Sequence, residues 1–485
     1  MGSTEASGLG EMVSVVARDS AGSSDEGLAF SRSEALGALD TIMWRGEADP
    51  TLRSTIVGLE LLDAVPDWDR LVDAHDWATR LVPRFRQRVA ESPISWAIPR
   101  WTVDDNFDLH YHVRRTRLAE PATWTSLLVA AQQIAMTPFD RARPPWEVVL
   151  FEGLPEGKAA YLLKMHHATA DGLGVVSLLG RLHSRQRQHD PNKEQRDPPG
   201  ADSPNPLGAI ARQAQEDLGR IPGVVRSVGG TALSTVTDPT GAARSALRYG
   251  ASLRRMLGES AATGSPLLAK RSMSWRFAAL DVRFADLRGA GKAGGGSLND
   301  AYVAALLGGI RLYHEALGRP VEVIPMAIPV SVRKPDDPEG TNRIASARIA
   351  GPVGIADPAT RMQRVGQLLG EARGEPAIEA SVAMAPVVAR LPGSVIARFG
   401  GGMTKSNDLQ ASNIPGLRDD VYLAGAKIER VYPFGPLPGC AMMITMLSHG
   451  DTCCLAVNYD AASVTEPTQF VDSLAAGFAE VLALH

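Results

Sequence analysis

Residues 165–172 read MHHATADG, two adjacent histidines followed by Asp171 and Gly172. Neighbouring side chains point to opposite sides of an extended backbone, so His166 and His167 are not expected to share one task. A zinc helix of the HExxH kind needs glutamate after the first histidine, and His167 stands there instead. A serine-hydrolase site needs Gly-x-Ser-x-Gly at a strand–turn–helix, and the chain has none in that setting. A single histidine that takes a proton from an alcohol needs neither metal nor nucleophile. Its ordinary pKa of ~6.5 leaves it mostly neutral, and able to accept a proton, at neutral pH. Asp171 reads either as a relay partner of the histidine or as a loop fastener, paired with an arginine and accepting backbone N–H groups. The fastener is preferred, because an Ala-Asp-Gly turn places the carboxylate among short-range donors. Gly172 suits a backbone position that a side chain would obstruct.

The elements around the motif place it at a junction. AAYLLKM before it reads as a strand and GLGVVSLLGRL after it as a helix, and such junctions expose side chains to substrates. WEVVLFEGL and AAYLLKMHH form a strand pair around the turn PEGK. Upstream, 71–89 repeats apolar residues at three and four and predicts a helix, as does TSLLVAAQQIAM at 125–136. FDLHYHVRRTRL (107–118) alternates and predicts a strand, with Asp108, His110 and His112 on its polar face. No further ligand follows at a recognisable spacing, so a solvated face is preferred there over a metal site, and no metal is expected.

Other stretches are better explained by packing. GAGKAGGGSLND (289–300) fails as a phosphate loop: Ala293 follows Gly291-Lys292, and Asp286 stands where the first glycine belongs. It reads as a flexible turn into a helix, with Ser297 and Asp300 in a capping pattern before AYVAALLGGIRLY. Cys440, Cys453 and Cys454 are the only cysteines; the last two lie in the apolar run CCLAVNY and read as small buried hydrophobes in a reducing compartment. A net charge of −4 offers nothing to attract nucleic acid. No run reaches the ~18 apolar residues of a membrane span. SVAMAPVVARLPGSVIARFGG (381–401) reads as an amphipathic helix pair packed on the core, in preference to one lying on a bilayer.

With 485 residues and 44% hydrophobic residues, the chain is expected to form two α/β bodies. Residues 1–27 read as a disordered leader without signal-peptide character, and 28–184 as an N-terminal body. The polar, proline-rich RQRQHDPNKEQRDPPGADSPNP opens a crossover over 185–265 with helical segments, and 266–485 forms the second body.

HHATADG resembles the HHxxxDG motif of the CoA-dependent acyltransferase superfamily, which includes chloramphenicol acetyltransferase and peptide-synthetase condensation domains. Its surroundings are similar to the bacterial wax ester synthase/diacylglycerol acyltransferase family. PFDRARPPWEVVLFEGL (138–154) resembles that family's Pro-Leu-Trp-Glu segment, with Pro145 in place of leucine. SLNDAYVAALLGGIRLY (297–313) is similar to its Asn-Asp helix start. IPVSVRKPDDPEGTNRI (328–344) and SNIPGLRDDVYLAGAKI (412–428) match later blocks, the second with Leu417 where proline often follows Asn-x-Pro-Gly. The resemblance runs in order from about Leu39 to the C-terminus and skips only the linker.

The resemblance implies an α/β (α+β) fold of two chloramphenicol-acetyltransferase-like subdomains, each a mostly antiparallel or mixed sheet with helices, meeting at an active-site tunnel. It implies an enzyme that moves a long-chain acyl group from acyl-CoA to diacylglycerol or a long-chain alcohol. Acyl-CoA enters as a substrate and no cofactor is implied. By the same resemblance His167 is the general base, His166 shapes the loop, Asp171 holds it, and Asn299 and Asp300 complete or brace the site from the second subdomain. Apolar substrates imply a cytoplasmic protein in peripheral association with a membrane or lipid inclusion. Two other readings stand beside this one: a condensation-type acyltransferase with a carrier-bound donor, and a lipid-binding or lipid-droplet protein with little catalysis.

Overall fold

Strand-forming and helix-forming segments alternate along the chain, and in the computed structural model they build two sheets flanked by helices. The structure describes residues 35–92, 96–170, 179–180, 183–190, 197, 262–331, 344–373, 384–417 and 419–485. Its strands are β1 (Thr55–Leu62), β2 (Gln87–Ala90), β3 (Arg100–Val103), β4 (Val113–Arg117), β5 (Trp146–Glu152), β6 (Ala159–His166) and β7 (Trp275–Arg283). They continue with β8 (Ile324–Ser331), β9 (Ile344–Gly351), β10 (Leu409–Ile414), β11 (Tyr422–Leu423), β12 (Ala426–Phe434), β13 (Met442–His449) and β14 (Thr452–Asp460). The main helices are α1 (Ala38–Gly46), α2 (Trp68–Leu81), α3 (Trp124–Met136), α4 (Phe284–Ala293), α5 (Leu298–Ala316), α6 (Pro358–Arg373), α7 (Gly393–Lys405) and α8 (Pro467–Leu482).

The first sheet has the order β11-β12-β1-β6-β5-β4 and is antiparallel except where β4 runs beside β5. The second has the order β7-β14-β13-β10-β8-β9, with β10 parallel to both neighbours. The mixed two-sheet architecture expected from the sequence is therefore present. The halves of the chain nevertheless interlock. β12, from the C-terminal half, pairs with β1 of the first sheet through Val57↔Phe434 and Leu59↔Tyr432. Just before the crossover, Ser184 bridges Tyr422 of the edge strand β11.

A shared apolar core joins the sheets. Phe277 of β7 stacks on Phe434 of β12 with ring centroids 3.9 Å apart, and the Tyr432 hydroxyl donates to Asp281 at 2.9 Å. From α3, the Gln132 side-chain oxygen accepts the Phe277 N–H at 3.1 Å. Burying side chains of this size stabilises by about 1.5–3 kcal/mol each, so the sheets gain from staying together. Behind the second sheet, α5 packs against α8 where Gly309 faces Gly477; a Cβ on Gly477 would sit 2.2 Å from the Gly309 nitrogen, so the backbones meet directly.

Three local expectations change. The helix expected over 71–89 stops at Leu81, because Pro83 forces Val82 into extended backbone (φ −118°, ψ 92°) and leads into β2. The strand expected over 107–118 begins only at Val113. Asp108 caps a helical turn, Leu109–His112, by accepting the His110 N–H at 3.0 Å, and this local bond displaces the extended form. In GAGKAGGGSLND the first five residues belong to α4, and the turn is confined to 294–296. Where 381–401 was expected to form a core-packed helix pair, residues 384–388 and α7 are helical and Ala389, Ile396 and Ala397 are buried. Among the described residues no helix is long and apolar enough to cross a membrane. The leader and most of the crossover lie outside the described residues.

Candidate active site

β6 runs between β1 and β5 at the centre of its sheet and ends at His166, buried along its whole length. At this end the Pro145 carbonyl accepts the His166 N–H at 3.0 Å, and the Ser54 carbonyl accepts the His167 N–H at 2.8 Å. The two histidines part here. His166 is fully buried, edge-on to Trp44 at 5.0 Å between centroids, whereas His167 is half-buried. The Ala168 N–H donates to His166 Nδ1 at 3.0 Å, which leaves the ring proton on Nε2. His166 Nε2 lies 3.2 Å from Glu47 Oε1, off the line of an ideal hydrogen bond but in electrostatic contact.

Glu47, just past the end of α1, was not singled out from the sequence. Its Oε1 also accepts the Ser54 N–H at 2.9 Å, and its Oε2 lies 3.7 Å from Arg141. Burial raises the Glu47 pKa, but contact with His166, the Ser54 N–H and Arg141 outweighs it, and the carboxyl lies below its usual value.

The Pro-Pro-Trp-Glu segment braces this strand end. Trp146 donates its indole N–H to the Phe85 carbonyl at 2.8 Å, and its own carbonyl lies 2.7 Å from His112 Nδ1. The His112 ring stacks on both Trp146 and Phe107, while His110 is exposed, so the two do not share a polar strand face. Glu147 accepts from fully buried Lys164 at 3.2 Å, two residues before His166. Among the described residues no group of three or more His, Cys, Asp or Glu could hold a metal ion.

Asp171 and Gly172 lie outside the described residues. Asp300 closes a capping box: its Oδ2 accepts the Ser297 N–H at 2.8 Å, and Ser297 Oγ accepts the Asp300 N–H at 3.2 Å. Its carboxylate is thus occupied at the start of α5, and Asn299 beside it is half-buried. The three cysteines are buried and unbridged. Burial pushes Cys440 and Cys454 up to about 12 and Cys453 to about 11, so no thiolate nucleophile is available near neutral pH.

Residues 30–302 match the family model described as the wax ester synthase/diacylglycerol acyltransferase catalytic domain. The chain belongs to this acyltransferase family. Residues 341–481 match the family's C-terminal domain. Among its relatives, a Mycobacterium tuberculosis protein provisionally named a diacylglycerol O-acyltransferase is 42% identical over 461 residues, covering 93% of this chain and 92% of its own. A similarly named Mycobacterium bovis protein is 28% identical over 387 residues, covering 76% and 80%. The solved wax ester synthase/diacylglycerol acyltransferase from Marinobacter aquaeolei VT8 shares the fold at a TM-score of 0.61 and 21% identity, over 92% of this chain and 98% of that one. The first condensation domain of the calcium-dependent antibiotic synthetase also shares it, at a TM-score of 0.58 and 13% identity, over 93% and 96%. The enzyme class implied by the sequence resemblance is therefore established: this family member is an acyltransferase.

On the α2 side of the first sheet this acyltransferase buries a second polar group. His75 Nδ1 lies 2.7 Å from the Leu71 carbonyl, and Nε2 lies 2.8 Å from the Tyr161 hydroxyl. Glu60, opposite Tyr161 in the sheet, lies 3.3 Å from His183 Nε2. Burial drives the His75 pKa down to about 4, so the fold holds it neutral while the unfolded chain protonates near 6.5. Its contribution is fully present above pH ~6.5 and is lost as pH falls toward 4, at up to about 1.4 kcal/mol per pH unit. Urea midpoints at about pH 7.5 and about pH 5 are expected to fall further apart in the wild type than in His75→Gln. An equal fall in both would remove His75 as the source.

Proposed function

We propose that this acyltransferase moves a long-chain acyl group from acyl-CoA to the hydroxyl of diacylglycerol, and to a long-chain alcohol as a second acceptor, with His167 as general base. The observation that carries the reading is the division between the histidines. His166 is buried, with Nδ1 accepting the Ala168 N–H and Nε2 beside the Glu47 carboxylate, while His167 leaves the same strand end half-exposed. The names of the mycobacterial relatives support diacylglycerol as acceptor.

In this reading His167 takes the proton as the acceptor oxygen attacks the thioester carbonyl. The tetrahedral intermediate then collapses, the C–S bond breaks, and the histidine returns the proton to the departing CoA thiolate. A thiol of pKa ~8–9 leaves more readily than an alkoxide, so little acid assistance is needed. Direct transfer without an acyl-enzyme accords with the buried, protonated cysteines. Acyl-CoA is the substrate, and no resident cofactor or metal takes part. Asp171 fastens the loop, and Asn299 and Asp300 brace the site from the second subdomain. The apolar acceptors place the enzyme on the cytoplasmic surface of a membrane or lipid inclusion.

The test is incubation of purified protein with palmitoyl-CoA and either diolein or hexadecanol. Triacylglycerol or wax ester is expected to form in step with free CoA. Product from neither acceptor would overturn the substrate assignment. A burst of CoA equal to the enzyme, without acceptor, would overturn direct transfer.

A further inference from the structure

We propose that Glu47 is the positioning residue of the reacting histidine, setting the backbone on both sides of His167 through one carboxylate oxygen. The inference rests on His167 as the base. A side chain is aimed by the φ and ψ of its own residue, and those angles are fixed by the two peptide groups that flank its Cα. The peptide before His167 donates its N–H to the Ser54 carbonyl at 2.8 Å. The peptide after it donates, through Ala168 N–H, to His166 Nδ1 at 3.0 Å.

Both acceptors lead back to Glu47 Oε1. Ser54 N–H donates to that oxygen at 2.9 Å, and His166 Nε2 lies 3.2 Å from it. Ser54 therefore meets Glu47 through its N–H and His167 through its carbonyl. His166 accepts the Ala168 N–H with Nδ1 and faces Glu47 with Nε2. With its proton on Nε2, 3.2 Å from the carboxylate and in electrostatic contact with it, His166 has the lone pair on Nδ1 that Ala168 needs. The opposite tautomer would set N–H against N–H and release the second peptide. Surroundings reinforce the arrangement. Trp44 packs edge-on against the His166 ring, and Arg141 covers Trp44 with its guanidinium carbon 4.6 Å from a ring centroid.

A group that orients a functional histidine from behind is worth about 10–100-fold in other sites, and that range is expected here. Glu47→Ala should lower kcat for palmitoyl-CoA and diolein by about 10–100-fold, with KM for acyl-CoA changing by less than about twofold. Glu47→Gln keeps an oxygen that accepts the Ser54 N–H and presents its partial negative charge to His166 Nε2, and should stay within about threefold of wild type. Nitrogen-15 NMR of labelled histidine should show His166 as the Nε2–H tautomer in wild type and Glu47→Gln, and a mixture in Glu47→Ala.

Unchanged kcat in Glu47→Ala would overturn the proposal, as would a Gln variant as impaired as the Ala variant. The same holds for an unchanged His166 tautomer in Glu47→Ala. If Glu47→Ala fails to fold, Glu47→Gln with Glu47→Asp decides, the shorter acid being expected to lose activity and tautomer together. If His167→Ala proves active, the base assignment fails by itself, and the NMR measurement still decides whether Glu47 holds His166.

Discussion

Replacing His167 with alanine is expected to reduce acyl transfer by about 10²–10⁴-fold, the usual worth of a positioned general base. The loss should fall on kcat, with KM for acyl-CoA little changed, because the proton is in flight only in the transition state. His167 is half-buried at the end of β6, so truncation removes little core packing, and the melting temperature should remain near that of wild type. His166→Ala is a different experiment. It empties a fully buried site beside Trp44 and leaves Glu47 and the Ala168 N–H without their shared partner. Activity and stability should therefore fall together in that variant. Full activity in His167→Ala would exclude it as the base; equal loss of rate and stability in both variants would merge their roles.

Replacing Arg361 with alanine is expected to destabilise the fold by about 3–5 kcal/mol, the cost of breaking a buried charged network. Arg361 lies on α6 with 0% exposure. It donates Nε–H to the Ala304 carbonyl at 2.9 Å, Nη1 to the Ile355 and Ala356 carbonyls at 2.7 and 3.1 Å, and Nη2 to Glu480 at 2.9 Å. One side chain thus ties α5, the loop before α6 and α8. Glu480 keeps Arg311 when Arg361 is removed, so most of the cost comes from the lost bonds to the Ile355 and Ala356 carbonyls and from the buried space the side chain vacates. Arg361→Lys should recover only part of it, since an ammonium cannot reproduce the planar fork of donors. Urea unfolding supplies the measurement, and a loss below about 1 kcal/mol would show that water replaces the guanidinium.

Much of the local architecture was legible from short stretches. β5, β6 and α3 follow from runs of 7, 8 and 13 residues whose apolar pattern is visible without any partner. The Ser297–Asp300 capping box is equally local, since donor and acceptor lie three residues apart. Where local readings failed, a competing local bond or a proline decided: Asp108 capped a turn inside an alternating run, and Pro83 ended a periodic one.

Glu47 and Arg361 were illegible for another reason. Each sits in a segment with no motif of its own, and its partners come from remote parts of the chain: Ser54, Arg141 and His166 for one, Ala304 and Glu480 for the other. By itself the sequence determined the motif, the strand that carries it, the capped helix of the second body and the family resemblance. Each of these depends on residue types at fixed short spacing. Only the tertiary structure decided that β12 completes the first sheet, that His166 is buried while His167 is not, and that one glutamate beyond α1 faces the His166 ring. Those outcomes depend on which distant surfaces exclude water together, and spacing along the chain does not encode that.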